Sequence, residues 1–472
     1  MEQHLFDTIV AIGTPPGEGG VGIVRLSGPG ALPFGTSLFS FIHPTTTPAS
    51  HRMYLGSVID RNGKALDRGF FVFMRSPHSY TGEDVVEFHC HGSPMLLETV
   101  LLEAIARGAR IAEPGEFTRR AFMNGKLDLA QAEAVIDLIS SVTKEGITIS
   151  GDHLFGRLSN KIREIVNTLL STLAEIEVSI DFPDEELPLS ELGEIRRRIE
   201  ESAHAITNIL ATFEEGRMYR DGVRVVITGR PNVGKSSLMN LLLEYDRVIV
   251  TPDPGTTRDI IEEETKISGI PIRFVDTCGI REALSEAEEE GVKRARRAIA
   301  DADIILFVVD ASGGIGPKDQ EILSSFPNTA VVMALNKIDL VTTKKRLRPI
   351  PAFVCPTLFT SALTGEGISS LKETIVSAAK KRRGISGESR EGQILITNAR
   401  HFQALSRAMG SLINALEGSG GIKDPEEYRR HALPELVALD LRSAINSLGE
   451  VTGEVTNDDV LDTIFSRFCI GK

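Results

Sequence analysis

Short apolar runs separated by polar turns recur through the middle of the chain. The runs typical of buried strands lie at 223–227, 271–274, 303–309, 330–335 and 352–360. Segments with helical character lie between them, and one of these, 238–242, directly follows a glycine-rich turn. Strands that alternate with helices predict a doubly wound parallel sheet, in which ligands bind at the carboxyl ends of the strands.

The segments on either side carry a helical period instead. Apolar residues in 127–181 recur mostly at steps of three and four, and a second helical run covers 191–215. Helical patterns return at 397–416, 425–448 and 456–465. Neither half forms a self-sufficient core as plainly as both together, so we predict one helical bundle interrupted by an inserted domain.

Strand and helix patterns mix in residues 1 to 125, which predicts a separate α/β domain. The segment 17–22 matches the pattern G-x-G-x-x-G, but it overlaps 21–26, which alternates like a strand. A dinucleotide-binding motif needs a helix at that point, so this function is excluded.

The segment 229–237 reads GRPNVGKSS and matches the phosphate-binding pattern G-x-x-x-x-G-K-[ST]. A strand precedes it and a helix follows it, so backbone N–H groups and the positive end of a helix dipole are expected to meet an anion there. Lys235 is expected to reach the terminal phosphates, and the Ser236 hydroxyl to hold magnesium.

Further motifs follow at the carboxyl ends of later strands: D-x-x-G at 276–279, N-K-x-D at 336–339 and S-A-L at 361–363. Asp339 can accept hydrogen bonds from guanine N1–H and the exocyclic amine, which adenine does not offer, so such a site rejects adenine by roughly 10⁴-fold. The predicted substrate is GTP, and its predicted contacts are Asn232, Val233, Gly234, Lys235, Ser236, Ser237, Thr251, Thr256, Thr257, Asp276, Thr277, Cys278, Gly279, Asn336, Lys337, Asp339, Ser361, Ala362 and Leu363.

Ile280 occupies the position where many such modules carry a glutamine that orients the attacking water. An apolar side chain cannot do this, so the catalytic arrangement must differ. The amide oxygen of Asn232 is expected to coordinate a monovalent cation together with carbonyls of the loop 251–259, and Thr257 to be the second protein ligand of magnesium. The carboxylate that positions water stays open among Glu282, Glu286, Glu288, Glu289 and Glu290.

Charge and composition narrow the class of protein. The net charge of −13 excludes a protein that coats nucleic acid by charge alone, and leaves local basic patches at 196–198, 344–348 and 380–383. The four cysteines show no paired spacing, which predicts a reducing compartment. No apolar run approaches membrane-spanning length, and 1–10 lacks the basic start of a secretory signal, so we expect a soluble cytoplasmic protein.

The chain resembles the MnmE (TrmE) family of tRNA modification GTPases over essentially its whole length. The most specific marks are GRPNVGKSS, PGTTRD at 254–259, DTCGIRE at 276–282 and FCIGK at 468–472, together with segments at 17–28, 81–92 and 121–134. The family commonly reads DTAG, so Cys278 is a departure. The resemblance implies a folate-binding and dimerisation domain at 1–125, a helical domain at 126–220 and 380–472, and an inserted Ras-like GTPase domain at 221–379. The stretch 380–392, rich in glycine, serine and charged residues, predicts a linker at the start of the second helical part.

The resemblance also implies what the protein does. It predicts a potassium-activated GTPase that forms a homodimer and acts on tRNA with the flavoprotein MnmG (GidA). Together they would add a carboxymethylaminomethyl or aminomethyl group to the wobble uridine. The one-carbon unit would come from a tetrahydrofolate derivative, 5-formyl- or methylene-tetrahydrofolate, and GTP hydrolysis would drive a conformational change.

Roles of individual residues are implied in the same way. Glu288 would orient the attacking water through a bridging water, and Ser236 and Thr257 would hold magnesium. The thiol of Cys469 is open to two interpretations, a reactive group or a small apolar residue that docks the C-terminal segment. The potassium ligands would be Asn232, Thr251, Asp253 and Thr256. The folate contacts would be Arg25, Glu87, Lys126 and Lys472.

Three functions remain open at this point. The first is GTP hydrolysis coupled to uridine modification, and the second is a GTPase that only switches RNA or ribosome contacts. The third is a folate-dependent one-carbon transferase that the GTPase regulates. The segment 469–472 and the N-terminal domain argue against the second, because a pure switch does not need them.

Overall fold

The computed structural model describes residues 7–43, 45, 47–181, 189–244, 262–276, 298–324, 326, 329–341, 355–385, 392–418 and 434–472. The chain divides into two compact units. The first contains Met1–Ile136, His153–Leu173 and Leu441–Lys472, and the second contains Asp137–Asp152 and Ala174–Asp440.

A sheet of seven described strands, in the order β3-β4-β5-β6-β2-β1-β7, dominates the first unit. Its neighbours are antiparallel except β1 and β7, which run parallel. Phenylalanines of β5 and β6 alternate into a core beneath one face, as a half-buried strand requires. The strands are β1 (Ile9–Ile12), β2 (Gly19–Ser27), β3 (Phe39–Phe41), β4 (Arg52–Ile59), β5 (Ala65–Met74), β6 (Val85–Gly92) and β7 (Arg110–Ile111), with helices α1 (Ala31–Ser37), α2 (Pro94–Ile105) and α3 (Glu116–Met123).

This sheet confirms the predicted mixed character of the N-terminal segment. Because β2 occupies the end of the G-x-G-x-x-G match, the helix that a dinucleotide site needs is absent at this described position.

The helical runs form eight described helices. The predicted run 127–181 is broken twice, once before Lys144, where the Thr143 hydroxyl accepts from the Gly146 N–H at 3.1 Å, and once at Gly156, whose φ is +80°. The helices are α4 (Leu129–Ser140), α5 (Lys144–Leu154), α6 (Arg157–Asp181), α7 (Leu189–Leu210), α8 (Phe213–Asp221), α12 (Ala399–Gly418), α13 (Pro434–Thr452) and α14 (Asp458–Phe465). Among the helices that the structure describes, none combines the length and apolar character that a membrane span requires.

Helices from both sides of the inserted segment pack together within the second unit. The rings of Phe213 and Phe402 stack with centroids 4.4 Å apart. The N–H of Ile396 donates to the Thr212 hydroxyl at 3.1 Å. These contacts join α8 to the chain that leads into α12, as an interrupted bundle requires.

The inserted segment forms a sheet of six described strands in the order β13-β12-β11-β8-β10-β9. All neighbours are parallel except the edge strand β9, which pairs antiparallel with β10 and was not predicted from the sequence. Val225 and Val226 point into cores on opposite faces, so helices cover both sides. The elements are β8 (Val223–Thr228), β9 (Glu262–Ile267), β10 (Ile270–Asp276), β11 (Ile304–Asp310), β12 (Ala330–Asn336), β13 (Thr357–Phe359), α9 (Lys235–Glu244), α10 (Pro317–Ser324) and α11 (Ile368–Arg382).

The linker predicted from residue 380 begins inside a helix, because α11 continues to Arg382. Basic residues in the last turn favour the negative end of the helix dipole. Arg382 donates to the Asp303 carbonyl at 2.6 Å, and Arg383 donates to the Gly222 carbonyl at 3.1 Å. Half of the basic patch 380–383 therefore attaches the helix end to the start of the sheet.

Candidate functional sites

The carboxyl ends of the parallel strands align at one edge of the inserted sheet. In the strand register Asp276 pairs with Ile227, and Asp310 pairs with Asn336. The carboxyl ends of β8, β10, β11 and β12 therefore lie side by side. This edge collects the predicted motifs at 229–237, 336–339 and 361–363 around one site.

Two glycines allow the phosphate loop (229–236) to pass close to its neighbours. Gly229 has a φ of +147°, and a Cβ there would lie 2.2 Å from the Val308 carbonyl oxygen. Gly234 has a φ of +93°, and a Cβ there would lie 2.4 Å from Asn336 Nδ2. Because α9 begins at Lys235, at the end of this loop, the positive end of its dipole faces the loop and favours an anion there.

Lys235 lies in the phosphate loop as the motif predicts. The side chain is buried, and its Nζ donates to the carbonyls of Gly229 at 3.1 Å and Arg230 at 2.7 Å. Ser236 and Ser237 follow in the first turn of α9 and are exposed. A buried ammonium beside exposed hydroxyls suits a phosphate chain with its metal ion.

Asn336 ties three segments of the site together. Its Nδ2 donates to the Val233 carbonyl at 2.9 Å, and its Oδ1 accepts from the Ala362 N–H at 3.0 Å. The Ser361 hydroxyl donates to Asp339 at 2.5 Å and so orients that carboxylate. Asp339 itself is exposed, as a carboxylate that recognises a base must be.

Lys337 connects the base motif to the phosphate loop. Its Nζ donates to the Asn232 carbonyl at 2.6 Å and to Asp310 Oδ2 at 2.7 Å. Burial acts to raise the pKa of Asp310, but the hydrogen bonds from Lys337 and Ser312 outweigh it and hold that pKa below its ordinary value. Sequence reasoning missed Asp310, although a carboxylate at the carboxyl end of a buried parallel strand is a recognisable signal.

Asp319 is a second residue that sequence reasoning missed, and it contacts the phosphate loop through Arg230. Arg230 Nε lies 2.7 Å from Asp319 Oδ1, and the Asp319 side chain is fully buried. Neither of these two atoms makes a well-directed hydrogen bond, so the contact is an ion pair rather than a hydrogen bond. The Gly316 N–H donates to the other oxygen of Asp319 at 2.9 Å, which attaches the start of α10 to the same pair.

Several predicted site residues lie outside the described part of the chain, so their roles stay predictions. Of Asp276, the structure describes the backbone, which ends β10. The residues outside the described ranges are Thr251, Asp253, Thr256, Thr257, Thr277, Cys278, Gly279 and Glu288.

In the first unit, the FCIGK segment (468–472) lies along the N-terminal sheet. Ile470 forms a β-bridge with Pro114, and the Phe117 N–H donates to the Lys472 carbonyl at 3.2 Å. Gly471 has a φ of +99°, and a Cβ there would lie 2.3 Å from the Ile12 carbonyl oxygen. The segment therefore belongs structurally to the N-terminal domain, although it is remote from it in sequence.

Three of the four predicted folate residues come together beside this segment. Strand register pairs Arg25 with Glu87, and Arg25 Nε donates to the Glu87 carboxylate at 2.7 Å. His89 Nε2 lies 3.0 Å from the other oxygen of Glu87, a neighbour that sequence reasoning missed as part of this group. Burial and the Arg25 charge lower the pKa of Lys472, whereas Glu87 and Cys469 act to raise it.

The electrostatics of this group favour an ionised carboxylate. Burial acts to raise the pKa of Glu87, but the hydrogen bond from His89 and the charge of Arg25 outweigh it, so the pKa lies below its ordinary value. The Arg25 guanidinium also lies 5.7 Å from the centre of the Phe117 ring. The result is a charged, partly buried cluster suited to a polar aromatic ligand.

Lys126 and Cys469 are the other predicted site residues of the first unit. Lys126 Nζ donates to the Pro77 carbonyl at 3.1 Å, and none of the described contacts links it with Arg25 or Glu87. Cys469 is exposed, and the neighbouring Phe468 is the buried residue that docks the segment. The larger apolar side chain next to Cys469 therefore docks the segment, and the role of the Cys469 thiol stays a prediction.

Comparison with known proteins identifies the family. A model of the N-terminal domain described as "GTP-binding protein TrmE N-terminus" matches residues 8–126, and the "MnmE helical domain" model matches 129–469. A protein of Moorella thermoacetica named tRNA modification GTPase MnmE is 45% identical over 99% of this chain and 100% of its own length. The chain belongs to the MnmE family of tRNA modification GTPases. It is accordingly a GTP hydrolase that acts in tRNA modification.

Other MnmE relatives agree over the full length. The protein of the same name from Geobacter metallireducens is 43% identical over 100% of both chains. Among solved structures, Era of Aquifex aeolicus with bound GDP and aluminium fluoride is 31% identical over 40% of this chain and 67% of that chain, with a TM-score of 0.28. The MnmE assignment does not depend on this last similarity.

Proposed function

We propose that this MnmE-family chain is a potassium-activated GTPase that, as a homodimer and with the flavoprotein MnmG, adds a carboxymethylaminomethyl or aminomethyl group to the wobble uridine of certain tRNAs. The one-carbon unit comes from a tetrahydrofolate derivative held in the N-terminal domain. One observation carries the proposal beyond GTP hydrolysis: the Arg25–Glu87 pair forms a cluster beside Phe117, whose N–H donates to the Lys472 carbonyl at 3.2 Å. A GTPase without further chemistry has no use for such a cluster.

The residues of the sheet edge divide the work of hydrolysis. Backbone N–H groups of the phosphate loop and Lys235 bind the phosphates, and Asp339 selects guanine. Ser236 and Thr257 would hold magnesium, and the Asp276 carboxylate would assist them. When bound, magnesium neutralises phosphate charge, and potassium supplies positive charge where other GTPases use an arginine. Glu288 orients the attacking water.

The chemistry of Asn232 fits a potassium ligand. Its carbonyl is occupied by Lys337 at 2.6 Å, whereas its exposed side-chain amide has no partner among the described residues. Neutral carbonyl oxygens are the donors that replace the hydration shell of potassium in proteins. The other proposed ligands, Thr251, Asp253 and Thr256, complete the set.

Potassium activation is tested by GTP turnover in potassium and in sodium at equal ionic strength. We expect faster turnover in potassium, and a loss of this difference in Asn232→Ala. Glu288→Ala should slow hydrolysis and leave GTP binding unchanged. Equal turnover of the unaltered protein in both salts would remove potassium from the proposal.

The folate site follows from the charges of the cluster. Glu87 can accept from the amino group of a pterin ring, and the cations Arg25 and Lys472 suit carboxylates of its tail. Equilibrium dialysis of the full chain with labelled 5-formyl-tetrahydrofolate tests this. Glu87→Gln should weaken binding by about tenfold or more. The matched change Glu98→Gln, at an exposed position of α2, should leave binding unchanged; equal binding by both variants would exclude the cluster as the site.

An apolar patch on the outward face of the N-terminal sheet supports the homodimer. Leu55 and Phe70 are directly opposite in register, and Met53 lies on the same face; all three side chains are exposed. Exposed contiguous apolar surface of this kind marks an association surface. Light scattering should show a dimer that Phe70→Asp converts to a monomer. Met95→Asp, at an apolar residue exposed on α2, should not; a monomeric unaltered chain would contradict the proposal.

The modification itself is tested in cells that lack the protein. Wobble-uridine nucleosides of their tRNA should lose the carboxymethylaminomethyl and aminomethyl groups. MnmG should co-purify with the unaltered chain. Unchanged nucleosides would favour the alternative of a GTPase that only switches RNA contacts. If nucleosides change but are restored by a variant that cannot hydrolyse GTP, the alternative of a folate-dependent transferase with a regulatory GTPase is favoured.

A further inference from the structure

We propose that Asp310 is a positioning residue of the GTP site, which acts through Lys337 to hold Asn232 in the conformation that binds potassium. The inference rests on the proposed role of Asn232. It assigns a function to a carboxylate that lies outside the nucleotide-binding motifs, at the end of β11.

The sheet register brings Asp310 and Lys337 together, and Lys337 in turn contacts Asn232. Asp310 is directly opposite Asn336 on the neighbouring strand, so the next residue, Lys337, leaves the sheet beside the Asp310 carboxylate. Lys337 Nζ then lies between two acceptors, Asp310 Oδ2 at 2.7 Å and the Asn232 carbonyl at 2.6 Å. Both side chains are mostly shielded, with exposed fractions of 31% for Lys337 and 22% for Asp310. Charge-assisted hydrogen bonds are stronger in such partly buried positions.

The Asn232 backbone is held by contacts with neighbouring segments. Its φ of +64° is a left-handed conformation that is uncommon for residues with a side chain, although asparagine adopts it more readily than most. Lys337 holds its carbonyl, and Asn336 holds the carbonyl of Val233 at 2.9 Å. Because the Asn232 side chain starts from this backbone, a shift of the carbonyl also moves the amide.

The Asp310 carboxylate is held by a separate set of hydrogen bonds. Asp310 Oδ1 accepts from the Ser312 N–H at 2.9 Å and from the Ser312 hydroxyl at 2.6 Å. These bonds fix the carboxylate plane and direct the second oxygen at Lys337. The two oxygens thus have separate partners, so their contributions can be separated by mutation.

The arrangement predicts a specific split between binding and activation. Asp310→Asn keeps the size of the side chain and an acceptor for Ser312, but removes the charge that holds Lys337. The potassium concentration for half-maximal GTP turnover should rise about tenfold, the effect of losing one charge-assisted hydrogen bond. The Kd for GDP in sodium should change less than about twofold, because the unaltered phosphate-loop N–H groups and Asp339 carry most of that affinity.

The test combines three measurements on the full-length chain. Potassium titrations of GTP turnover give the half-maximal concentration, and fluorescent GDP gives the Kd. Hydrogen–deuterium exchange of the amides of 230–234, measured in sodium without nucleotide, reports the loop itself and should be faster in Asp310→Asn. Asp301→Asn, which neutralises a 68% exposed carboxylate 3.7 Å from Arg224 and outside this line of contacts, is the matched control and should behave as the unaltered chain.

A double-mutant cycle tests whether the effect passes through Asn232. In the Asn232→Ala background, Asp310→Asn should cause no further change in potassium dependence, although loop exchange should still quicken. If Asp310→Asn does not yield folded protein, Asp310→Glu, which keeps the charge but moves it by one methylene, should raise the half-maximal concentration in the same direction.

The inference is overturned if the variant has the potassium dependence and loop exchange of the unaltered chain. It is also overturned if GDP affinity falls as much as potassium affinity, since that would mean general damage to the site. A chain that shows no potassium activation in its unaltered form would instead remove potassium from the proposed function.

Discussion

At the scale of single residues, the GTP site depends on backbone positions as much as on side chains. Lys337 and Asn336 each bind a phosphate-loop carbonyl, so the motif that recognises the base also shapes the loop that binds phosphate. Motif matching assigns these residues to guanine alone. Their second role emerges only from the contacts.

Gly234→Ala tests the need for close approach in this loop. The new Cβ would lie 2.4 Å from Asn336 Nδ2 at a φ of +93°, so both strain and collision are expected. A cost of about 1–3 kcal/mol corresponds to a rise in the Kd for GDP of roughly ten- to a hundredfold. Gly125→Ala, with a φ of +66° and no atom within 4 Å, is the control and should leave GDP binding intact. Fluorescent GDP titration decides; unchanged affinity in Gly234→Ala would contradict the described loop.

At the scale of elements, α3 is held to the N-terminal sheet by a buried arginine. Arg120 is only 3% exposed and pairs with Asp7, Glu83 and Glu116. Burial acts to raise the pKa of Asp7 and Glu116, but hydrogen bonds from Arg110 and Arg120 outweigh it and both values lie below the ordinary ones. Most of this network is not visible in the sequence pattern, because Asp7 and Glu83 lie 113 and 37 positions from Arg120, and only Glu116, four positions away, is local.

Arg120→Met should lower the free energy of unfolding by about 3–5 kcal/mol at pH 7, because it removes the buried cation that pairs with three partly buried carboxylates, of which Arg110 still contacts only Asp7 and Glu116. A carboxylate whose pKa is depressed in the folded state stabilises fully above its unfolded pKa of about 4, and this stability is lost as the pH falls through the folded value. The unaltered chain should therefore lose stability below about pH 4, and the variant should show a flatter dependence.

Denaturant unfolding between pH 2 and 7 measures both effects. Arg119→Met is the matched control, since its partner Asp462 is 61% exposed and such surface pairs contribute less than about 1 kcal/mol. A variant at Arg120 as stable as this control would show that the network does not hold α3.

At the scale of the whole molecule, both ends of the chain contribute to one domain. The FCIGK segment docks on the N-terminal sheet and brings Lys472 beside Arg25 and Glu87. The GTP site is built separately, on the sheet that interrupts the helical domain. The two sites are therefore separable by mutation.

Gly471→Ala tests this separation. At a φ of +99° the new Cβ would lie 2.3 Å from the backbone oxygen of Ile12, which cannot move aside, so the segment should leave the sheet. Binding of labelled 5-formyl-tetrahydrofolate should fall more than about tenfold, while GTP turnover stays within about twofold. Gly410→Ala, in α12 with no atom within 4 Å, is the control and should retain both. Parallel loss of GTP turnover in Gly471→Ala would contradict separate sites.

By itself, the sequence determined the elements and the chemistry that local spacing encodes. Apolar runs and glycine motifs predicted the parallel strands, the phosphate loop and the choice of guanine, because these depend on residues close together along the chain. The edge strand β9 escaped prediction, since its polar segment 262–265 has no apolar run and only pairing with β10 makes it a strand. The break positions in the 127–181 helical run and the true end of α11 were likewise set by capping and by contacts with Asp303 and Gly222.

Only the tertiary structure decided which distant residues meet. It joined Asp310 to Lys337 and Asn232, placed His89 against Glu87, and showed that Phe468 rather than Cys469 docks the C-terminal segment. Such pairings follow from strand register and from the path of the chain across a sheet, and both are set by the packing of the whole domain. No local pattern carries the contacts among Asp310, Lys337 and Asn232, because their hydrogen bonds join residues 27 and 105 positions apart, whereas His89 lies only two positions from Glu87.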